Sequence, residues 1–147
     1  MRLNKFQMTS NKLFVYGSLR SGFKNQSYSY LSQYFEYSGI GKTKGMFFNK
    51  ENIPVAVSCI EENFIVGEIY TLKNEDEFSW AFEQLDDYEG LHVLPGEQPL
   101  YQRKLIEVIG EGEIETAWVY WYNGCVDGLQ KIDTEDLLEF LKRENNN

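Results

Sequence analysis

Short runs of β-branched and aromatic residues, separated by polar and glycine residues, dominate the first half of the chain and mainly predict strands. Residues 12–16 form a β-rich run that stops at Gly17 and Ser18, which predicts a strand followed by a tight turn with exposed backbone amides. From about residue 25 to 37, apolar and aromatic residues recur at helical spacing, which predicts an amphipathic helix closed by Gly39. A strand, a turn and a helix therefore open the chain.

Three segments after this helix are rich in β-branched and aromatic residues and are separated by Asn, Glu and Gly. Such segments are typical of strands. We predict that they form a meander of neighbouring antiparallel strands at residues 45–48, 54–60 and 64–70.

A second helix is predicted to follow these strands. Asn74 is a good N-cap, Phe78, Phe82 and Leu85 share one helix face, and Gly90 suits a left-handed helix stop. The acidic residues just before that glycine then lie at the end of the helix where its dipole disfavours negative charge.

The last third of the chain predicts a loop, a hairpin and a closing helix. Residues 91–100 contain two prolines and a glycine, which are typical of an irregular loop. Residues 101–109 and 113–122 predict two strands that pair as a hairpin across residues 110–112. Asp133 is predicted to cap the final helix.

The length of 147 residues is that of one domain, and neither a repeat nor a linker divides it. We therefore predict a single domain over residues 1–147, with its core at about residues 12–142. Strand–helix–strand crossovers are too few for a doubly wound parallel sheet, so the pattern predicts a mixed or barrel-like α+β fold. Ten Phe, ten Tyr and three Trp residues favour packed strands around an aromatic pocket over a Leu-based helical bundle.

Charge and cysteine content narrow the class of partner. The formal net charge of −9 would repel a nucleic-acid backbone or an anionic membrane, so neither is expected as a partner. Two cysteines do not form a disulfide framework in a chain of this length, and no segment is apolar and long enough for a signal peptide or a membrane span. We expect a soluble, cytoplasmic protein, and the sequence leaves its oligomeric state open.

Few side chains are suited to nucleophilic or metal chemistry. His92 is the single histidine, which excludes sites with several imidazoles. Cys59 lies in an apolar run and is expected to pack in the core, and Cys125 has no neighbouring base in the sequence. The spacing of the acids Asp86, Asp87 and Glu89 matches no calcium-binding loop, and no histidine nearby would complete a metal site, so no metal site is predicted.

Glu89 has a second interpretation besides that of a solvated helix end. It precedes the predicted glycine stop, where burial and the nearby acids Asp86 and Asp87 would both raise its pKa and make it a candidate general base.

Other residues also have a structural and a functional interpretation. The turn at Gly17, Ser18 and Leu19 is either an ordinary turn or a set of backbone amides that bind an anion or an incipient oxyanion. Arg103, in a strand, either extends to solvent or reaches a carboxylate at a pocket edge. Tyrosines at strand ends, such as Tyr16 and Tyr101, are usually core residues but can keep a hydroxyl in a cavity.

Four segments, taken in order, resemble the gamma-glutamylcyclotransferase-like, or AIG2-like, family. They read VYGSLR at 15–20, GEIY at 67–70, LDDYEG at 85–90 and YQR at 101–103, and the resemblance extends over most of the domain. Leucine rather than asparagine after Tyr-Gly-Ser is more similar to the gamma-glutamylamine cyclotransferase branch. The segment from residue 90 to 100 is longer than in the family pattern.

The resemblance implies a small mixed β-barrel flanked by helices and a pocket where the Tyr-Gly-Ser-Leu turn meets the acid of the Asp-Tyr-Glu-Gly segment. By motif, Glu89 is the implied catalytic acid/base. The implied substrate-binding residues are Tyr16, Gly17, Ser18 and Leu19 in the turn, with Tyr101 and Arg103 in the supporting segment.

The implied activity is cyclisation of a small gamma-glutamyl amine or amide to 5-oxoproline with release of a free amine, without a cofactor. The alternative is a small-molecule or protein-binding module that keeps this fold without turnover.

Overall fold

The computed structural model describes the backbone of residues 10–17 and 26–145. The predicted turn residues Ser18 and Leu19 lie outside these ranges. The described elements, in chain order, are β1 (Lys12–Val15), α1 (Gln26–Tyr34), β2 (Phe35–Lys50), β3 (Ile53–Ser58), β4 (Phe64–Leu72), α2 (Phe78–Tyr88), β5 (Tyr101–Gly110), β6 (Glu113–Tyr122), β7 (Gln130–Ile132) and α3 (Leu137–Asn145).

Five of these strands close into a mixed β-barrel. Strand β2 pairs with β4, β4 with β1, β1 with β6, β6 with β5, and β5 pairs again with β2. The β1–β6 pair is parallel and the other pairs are antiparallel. Strands β3 and β7 extend β2 beyond the barrel. The predicted α+β barrel is confirmed.

Three glycines lie side by side where the barrel closes. Gly41 on β2 pairs with Gly67 on β4 and with Gly110 on β5. A Cβ atom at Gly41 would lie 2.6 Å from a methyl carbon of Ile69 and 2.8 Å from one of Val108. Only glycine therefore allows β2 to approach the interior side chains this closely and to pair on both sides.

The apolar core has two parts because β1 is buried on both faces. Leu13 and Val15 pack with the buried faces of α1 and α2, whereas Phe14 packs with a second cluster that includes Val108 and Trp121. The period-2 alternation of side chains sends successive residues of β1 to opposite faces. This double burial holds the end of β1, and hence residues 16 and 17, in place.

Two predicted elements are confirmed with their local chemistry. The backbone N–H of Asp76 donates a hydrogen bond to the side chain of Asn74 at 3.0 Å, and a 3₁₀ turn at Glu75–Glu77 leads directly into α2. The predicted hairpin forms between β5 and β6, which pair along their whole length from Tyr101 with Tyr122 to Gly110 with Glu113.

The structure corrects the predicted C-terminal end of the first helix. Helix α1 ends at Tyr34, because Phe35 begins β2 and pairs with Leu72. Gly39 does not close a helix; it lies at an irregularity in β2 with a φ of 138°. The aromatic residues that continue the helical spacing are therefore strand residues.

Two further predictions were wrong in part. Strand β2 lies between β3 and β4, so the segments at 54–60 and 64–70 are not neighbours in a meander. The last helix is capped by Asp136, whose side chain accepts a hydrogen bond from the backbone of Glu139 at 3.2 Å, rather than by Asp133. Residues 130–132 instead form the short strand β7, which was not predicted because three residues carry too little periodicity.

Among the described residues, no helix is both long and apolar enough to cross a membrane.

Candidate active site

A cavity of about 260 Å³ lies where β1 ends, β3 and β5 begin and α2 stops. Its polar wall brings together residues that are far apart in the sequence: Tyr16, Gly17, Glu89, Tyr101 and Tyr120. The structure thus places four of the predicted site residues around one cavity.

Glu89 is positioned by the way α2 ends. It is the C-cap residue, and its backbone N–H donates a hydrogen bond to the carbonyl of Leu85 at 2.9 Å. The backbone N–H groups of Gly90 and Leu91 donate to the carbonyls of Asp87 and Asp86 at 3.1 and 2.9 Å. These two bonds, with a φ of 76° at Gly90, form a Schellman motif. The predicted glycine stop is confirmed, and it fixes the backbone of Glu89.

The Glu89 side chain is partly exposed, but the cavity walls shield its carboxyl group from much of the surrounding water. Burial raises its pKa from 4.5 to about 7. No described residue donates a hydrogen bond to its side chain that would oppose this rise. Near neutral pH the group is therefore present in both protonation states, as an acid/base catalyst requires.

The predicted contribution of the neighbouring acids to this pKa was wrong, because burial is its only resolved cause. Asp86 is engaged in an ion pair with Arg103, so its charge is compensated. Asp87 points to solvent, and its carboxylate lies 3.5 Å from the ring of the exposed His92.

Arg103 and Asp86 join the end of α2 to the barrel. The Nε and Nη2 atoms of Arg103 donate to the two carboxylate oxygens of Asp86 at 2.9 and 3.2 Å. The Tyr120 hydroxyl donates to the same carboxylate at 2.6 Å. The Arg103 guanidinium also lies 4.9 Å from the ring centre of Phe82 and 4.6 Å from that of Trp118.

Of the two interpretations of Arg103, the structure therefore supports the carboxylate partner. The residue does not line the cavity, in contrast to the substrate-binding role implied by resemblance; it supports the helix end that carries Glu89.

The tyrosines of the polar wall remain neutral hydrogen-bonding groups. Burial, and then the negative charge of Glu89, raise the pKa of Tyr16 and of Tyr101 above the ordinary value. The Tyr16 hydroxyl donates to the carbonyl of Tyr120, and its ring stacks on Trp121 at 5.8 Å. Among the described residues, none accepts a hydrogen bond from the Tyr101 hydroxyl, so it is available to a ligand.

Gly17 borders open space. A Cβ atom built at Gly17 would meet no described atom within 4 Å, and Gly17 is not among the described glycines with positive φ. The backbone conformation at this position therefore does not require glycine. What supports the predicted role of Gly17 in ligand binding is that it lines the cavity and has open space beside it. Ser18 and Leu19, the other two predicted members of the turn, lie outside the described residues.

Sequence reasoning did not find the apolar side of this cavity, which is lined by Phe14, Val15, Ile53, Pro54, Leu137 and Leu141. Apart from Val15, the first residue of the VYGSLR segment, these residues belong to no motif, and only the tertiary fold brings them together. Within the described part of the chain, no three His, Cys, Asp or Glu side chains are grouped so that they would hold a metal ion.

Comparison with known proteins gives a consistent picture. The family described as gamma-glutamyl cyclotransferase, AIG2-like, matches residues 13–139. A curated protein of Methanocaldococcus jannaschii is 35% identical to this chain over 113 residues, which cover 75% of this chain and 82% of that protein. That protein is named as an inferred gamma-glutamylcyclotransferase.

Solved structures share the fold. The crystal structure of YkqA from Bacillus subtilis is similar with a TM-score of 0.67 and 24% identity over 93% of this chain, which spans only 43% of that protein. A structure described as a gamma-glutamyl cyclotransferase is similar with a TM-score of 0.51 and 13% identity, over 82% of this chain and 68% of the other. At these identities the two structures show the fold alone.

Proposed function

Because this chain belongs to the gamma-glutamyl cyclotransferase, AIG2-like, family, we propose that it converts a gamma-glutamyl amine or amide to 5-oxoproline and a free amine. Glu89 serves as the general acid/base. The observation that carries the proposal is a single carboxyl group, with a pKa raised by burial to about 7, in a cavity of small-molecule size.

The reaction needs little from the protein because the substrate contains its own nucleophile. The α-amine attacks the γ-carbonyl carbon, a carbon–nitrogen bond closes the five-membered ring, and the bond to the leaving amine breaks. Overall, two protons pass from the attacking nitrogen to the leaving nitrogen, and no water is consumed. Holding the substrate in a folded conformation supplies much of the rate increase of an intramolecular reaction.

Glu89 carries protons between the two nitrogens. As a carboxylate it accepts a proton from the substrate ammonium, and as a carboxylic acid it returns a proton to the leaving amine. With ordinary pKa values of about 4.3 for Glu and about 8 for an α-amine, the first transfer is uphill by about 5 kcal/mol. With the pKa of Glu89 at about 7, the same transfer is uphill by only about 1.4 kcal/mol.

The remaining polar wall supports binding. Gly17 and Tyr101 line the same cavity as Glu89, and the Gly17 backbone N–H and the Tyr101 hydroxyl are the donors suited to the substrate carboxylate or to the oxyanion of the tetrahedral intermediate. Neutral donors suit this task because a charged tyrosinate would repel both groups.

The experiment is the release of 5-oxoproline from gamma-glutamyl amides by the purified wild type and by Glu89→Gln. We expect the variant to fold and to bind substrate but to lose at least about 100-fold in kcat, because its amide cannot transfer protons. Glu83→Gln, an exposed acid on the same helix, is the matched control and should retain activity.

Two outcomes would overturn the proposal. Equal turnover by the wild type and Glu89→Gln would remove Glu89 from catalysis. Binding of gamma-glutamyl amides without any 5-oxoproline would favour a binding module on the same fold.

A further inference from the structure

A second cavity lies on the outer face of the barrel, far from the candidate active site. Its volume is about 410 Å³, within the range of about 300–1,000 Å³ that is typical of small-molecule sites. Ile109 lines it, and points outward because the preceding residue, Val108, points into the core. Along β5, Ile109 lies about 26 Å from Tyr101 in the candidate active site. The two cavities share no described lining residue.

The pairing of β2 explains why a cavity opens here. Strand β2 pairs with β5 over two residues only, Gly41 and Lys42. From Gly45 onward it pairs with β3 instead. Between these two regions the Thr43 hydroxyl donates a hydrogen bond of 2.8 Å to the backbone carbonyl of Glu107, where a regular sheet would have backbone ladder bonds. The gap between β2 and β5 is therefore a product of the barrel topology.

Side chains from four strands meet at this gap on one face of the sheet. Ile109 lies opposite Lys42 on β2 and opposite Ile114 on β6, and opposite residues of an antiparallel pair share a face. Glu107 lies two residues before Ile109 and so shares that face too. The Lys42 ammonium lies 5.0 Å from the ring centre of Phe64 on β4. These five residues line the cavity and give it apolar surface beside two opposite charges.

Lys42 and Glu107 are the unpaired charges of the described lining. Neither forms an ion pair, with the other or with any further residue that the structure describes. Lys44, the other charged residue of that lining, is already paired with Glu62 at 3.2 Å. Lys42 and Glu107 are diagonal neighbours across β2 and β5, and such neighbours are about 7–8 Å apart. A gap with one free charge of each sign thus remains between the two strands.

This charge pattern favours a ligand that carries both signs. A simple anion that bound Lys42 would be repelled by Glu107, and a simple cation that bound Glu107 would be repelled by Lys42. A zwitterion satisfies both side chains. The neighbouring side chains of Phe64, Ile109 and Ile114 supply apolar surface, and Ile114 is 69% exposed, so an apolar group of the ligand can cover it.

We propose that this second cavity binds a free α-amino acid with a branched apolar side chain. The carboxylate pairs with Lys42, the ammonium group pairs with Glu107, and the side chain packs on Ile109 and Ile114. This site is separate from the proposed function and does not depend on it. Both protein charges are exposed to solvent, so the binding is weak, with a dissociation constant on the order of 1 mM.

The test is a titration of the ¹⁵N-labelled protein with L-leucine, followed by the backbone amide chemical shifts. The amides of residues 42–44 and 106–109 should shift together. Three analogues dissect the recognition: 4-methylpentanoate lacks the ammonium group of leucine, 3-methylbutylamine lacks its carboxylate, and alanine lacks most of its side chain. We expect the first two to bind at least about threefold more weakly than leucine, and alanine about tenfold more weakly.

Variants locate the site on the protein. Lys42→Gln and Glu107→Gln should each weaken leucine binding at least about threefold, and Ile114→Thr should weaken the binding of leucine but not that of alanine. Lys104→Gln and Glu113→Gln remove exposed charges of β5 and β6 outside the described lining, and should bind leucine as the wild type does. None of these residues lines the candidate active site, so 5-oxoproline release should be unchanged in all five variants.

Four results would each overturn this proposal: no shift at a leucine concentration about 20 times the expected dissociation constant, shifts confined to the neighbourhood of Gly17, Glu89 and Tyr101, equally tight binding of either singly charged analogue, or unchanged binding in Lys42→Gln or Glu107→Gln. The proposed function would stand in each case as long as 5-oxoproline is released. Conversely, absence of 5-oxoproline would leave the amino-acid site supported by its own titration.

Discussion

Replacing Glu89 by Gln should make the folded protein more stable at neutral and alkaline pH, although it removes activity. In the folded protein, burial raises the pKa of this carboxyl to about 7, whereas in the unfolded chain it keeps a value near 4.5. Ionisation therefore favours the unfolded chain. The wild type loses stability as pH rises from about 4.5 through about 7, and Glu89→Gln does not.

The magnitude follows from the two pKa values. Their difference corresponds to at most about 3.5 kcal/mol at about 1.4 kcal/mol per pKa unit. The Glu89 side chain is still partly exposed to solvent. Solvent screening therefore reduces the expected effect to about 1–2 kcal/mol. For a chain of this size, 1 kcal/mol corresponds to a change in Tm of about 4 °C.

The assay is urea unfolding of the wild type, Glu89→Gln and Glu83→Gln at pH values from 4 to 9. The free energy of unfolding of Glu89→Gln relative to the wild type should increase by about 1–2 kcal/mol between pH 4 and pH 8, and that of Glu83→Gln should stay constant. A difference between Glu89→Gln and the wild type that does not change with pH would refute the argument that burial raises the pKa of Glu89.

The remaining predictions concern catalysis and binding. The acid limb of the pH profile of kcat/KM should lie near pH 7, because the free enzyme needs an ionised Glu89. Asp87→Asn should not move this limb, because Asp87 is exposed. An acid limb near pH 4.5, measured with a substrate of known ionisation, would contradict the raised pKa of Glu89. Gly17→Val should fold normally, because a Cβ there meets no described atom, yet weaken substrate binding by at least about tenfold in calorimetry, because the side chain occupies cavity space. Normal binding by a folded Gly17→Val would remove this turn from the site.

The sequence was sufficient to predict those helix ends that depend on residues close to one another in the chain. Asn74 and Gly90 are examples, because a cap and a helix stop depend on bonds within a few residues. The extent of β2 was not predictable in the same way. Its 16 residues pair with four other strands, and the aromatic residues at its start also fit a continued helix.

Some residues of the candidate site could likewise be predicted from the sequence and others could not. Motif resemblance identified Glu89 and Tyr16, which the structure brings to one cavity. It did not indicate that Arg103 would bind Asp86 behind the cavity wall, or that Ile53 would line the cavity. Both depend on contacts between elements far apart in the sequence, and the types of these residues carry no signal of such contacts.

The most direct test of the account is to follow the oxygen atoms of the products in water enriched in ¹⁸O. Intramolecular attack by the α-amine needs no water, so the wild type should convert a gamma-glutamyl alkylamine to unlabelled 5-oxoproline and one equivalent of amine, and Glu89→Gln should form at least about 100-fold less. Glutamate carrying one ¹⁸O atom as the primary product would show that water is the nucleophile and would contradict cyclisation as the activity of this site.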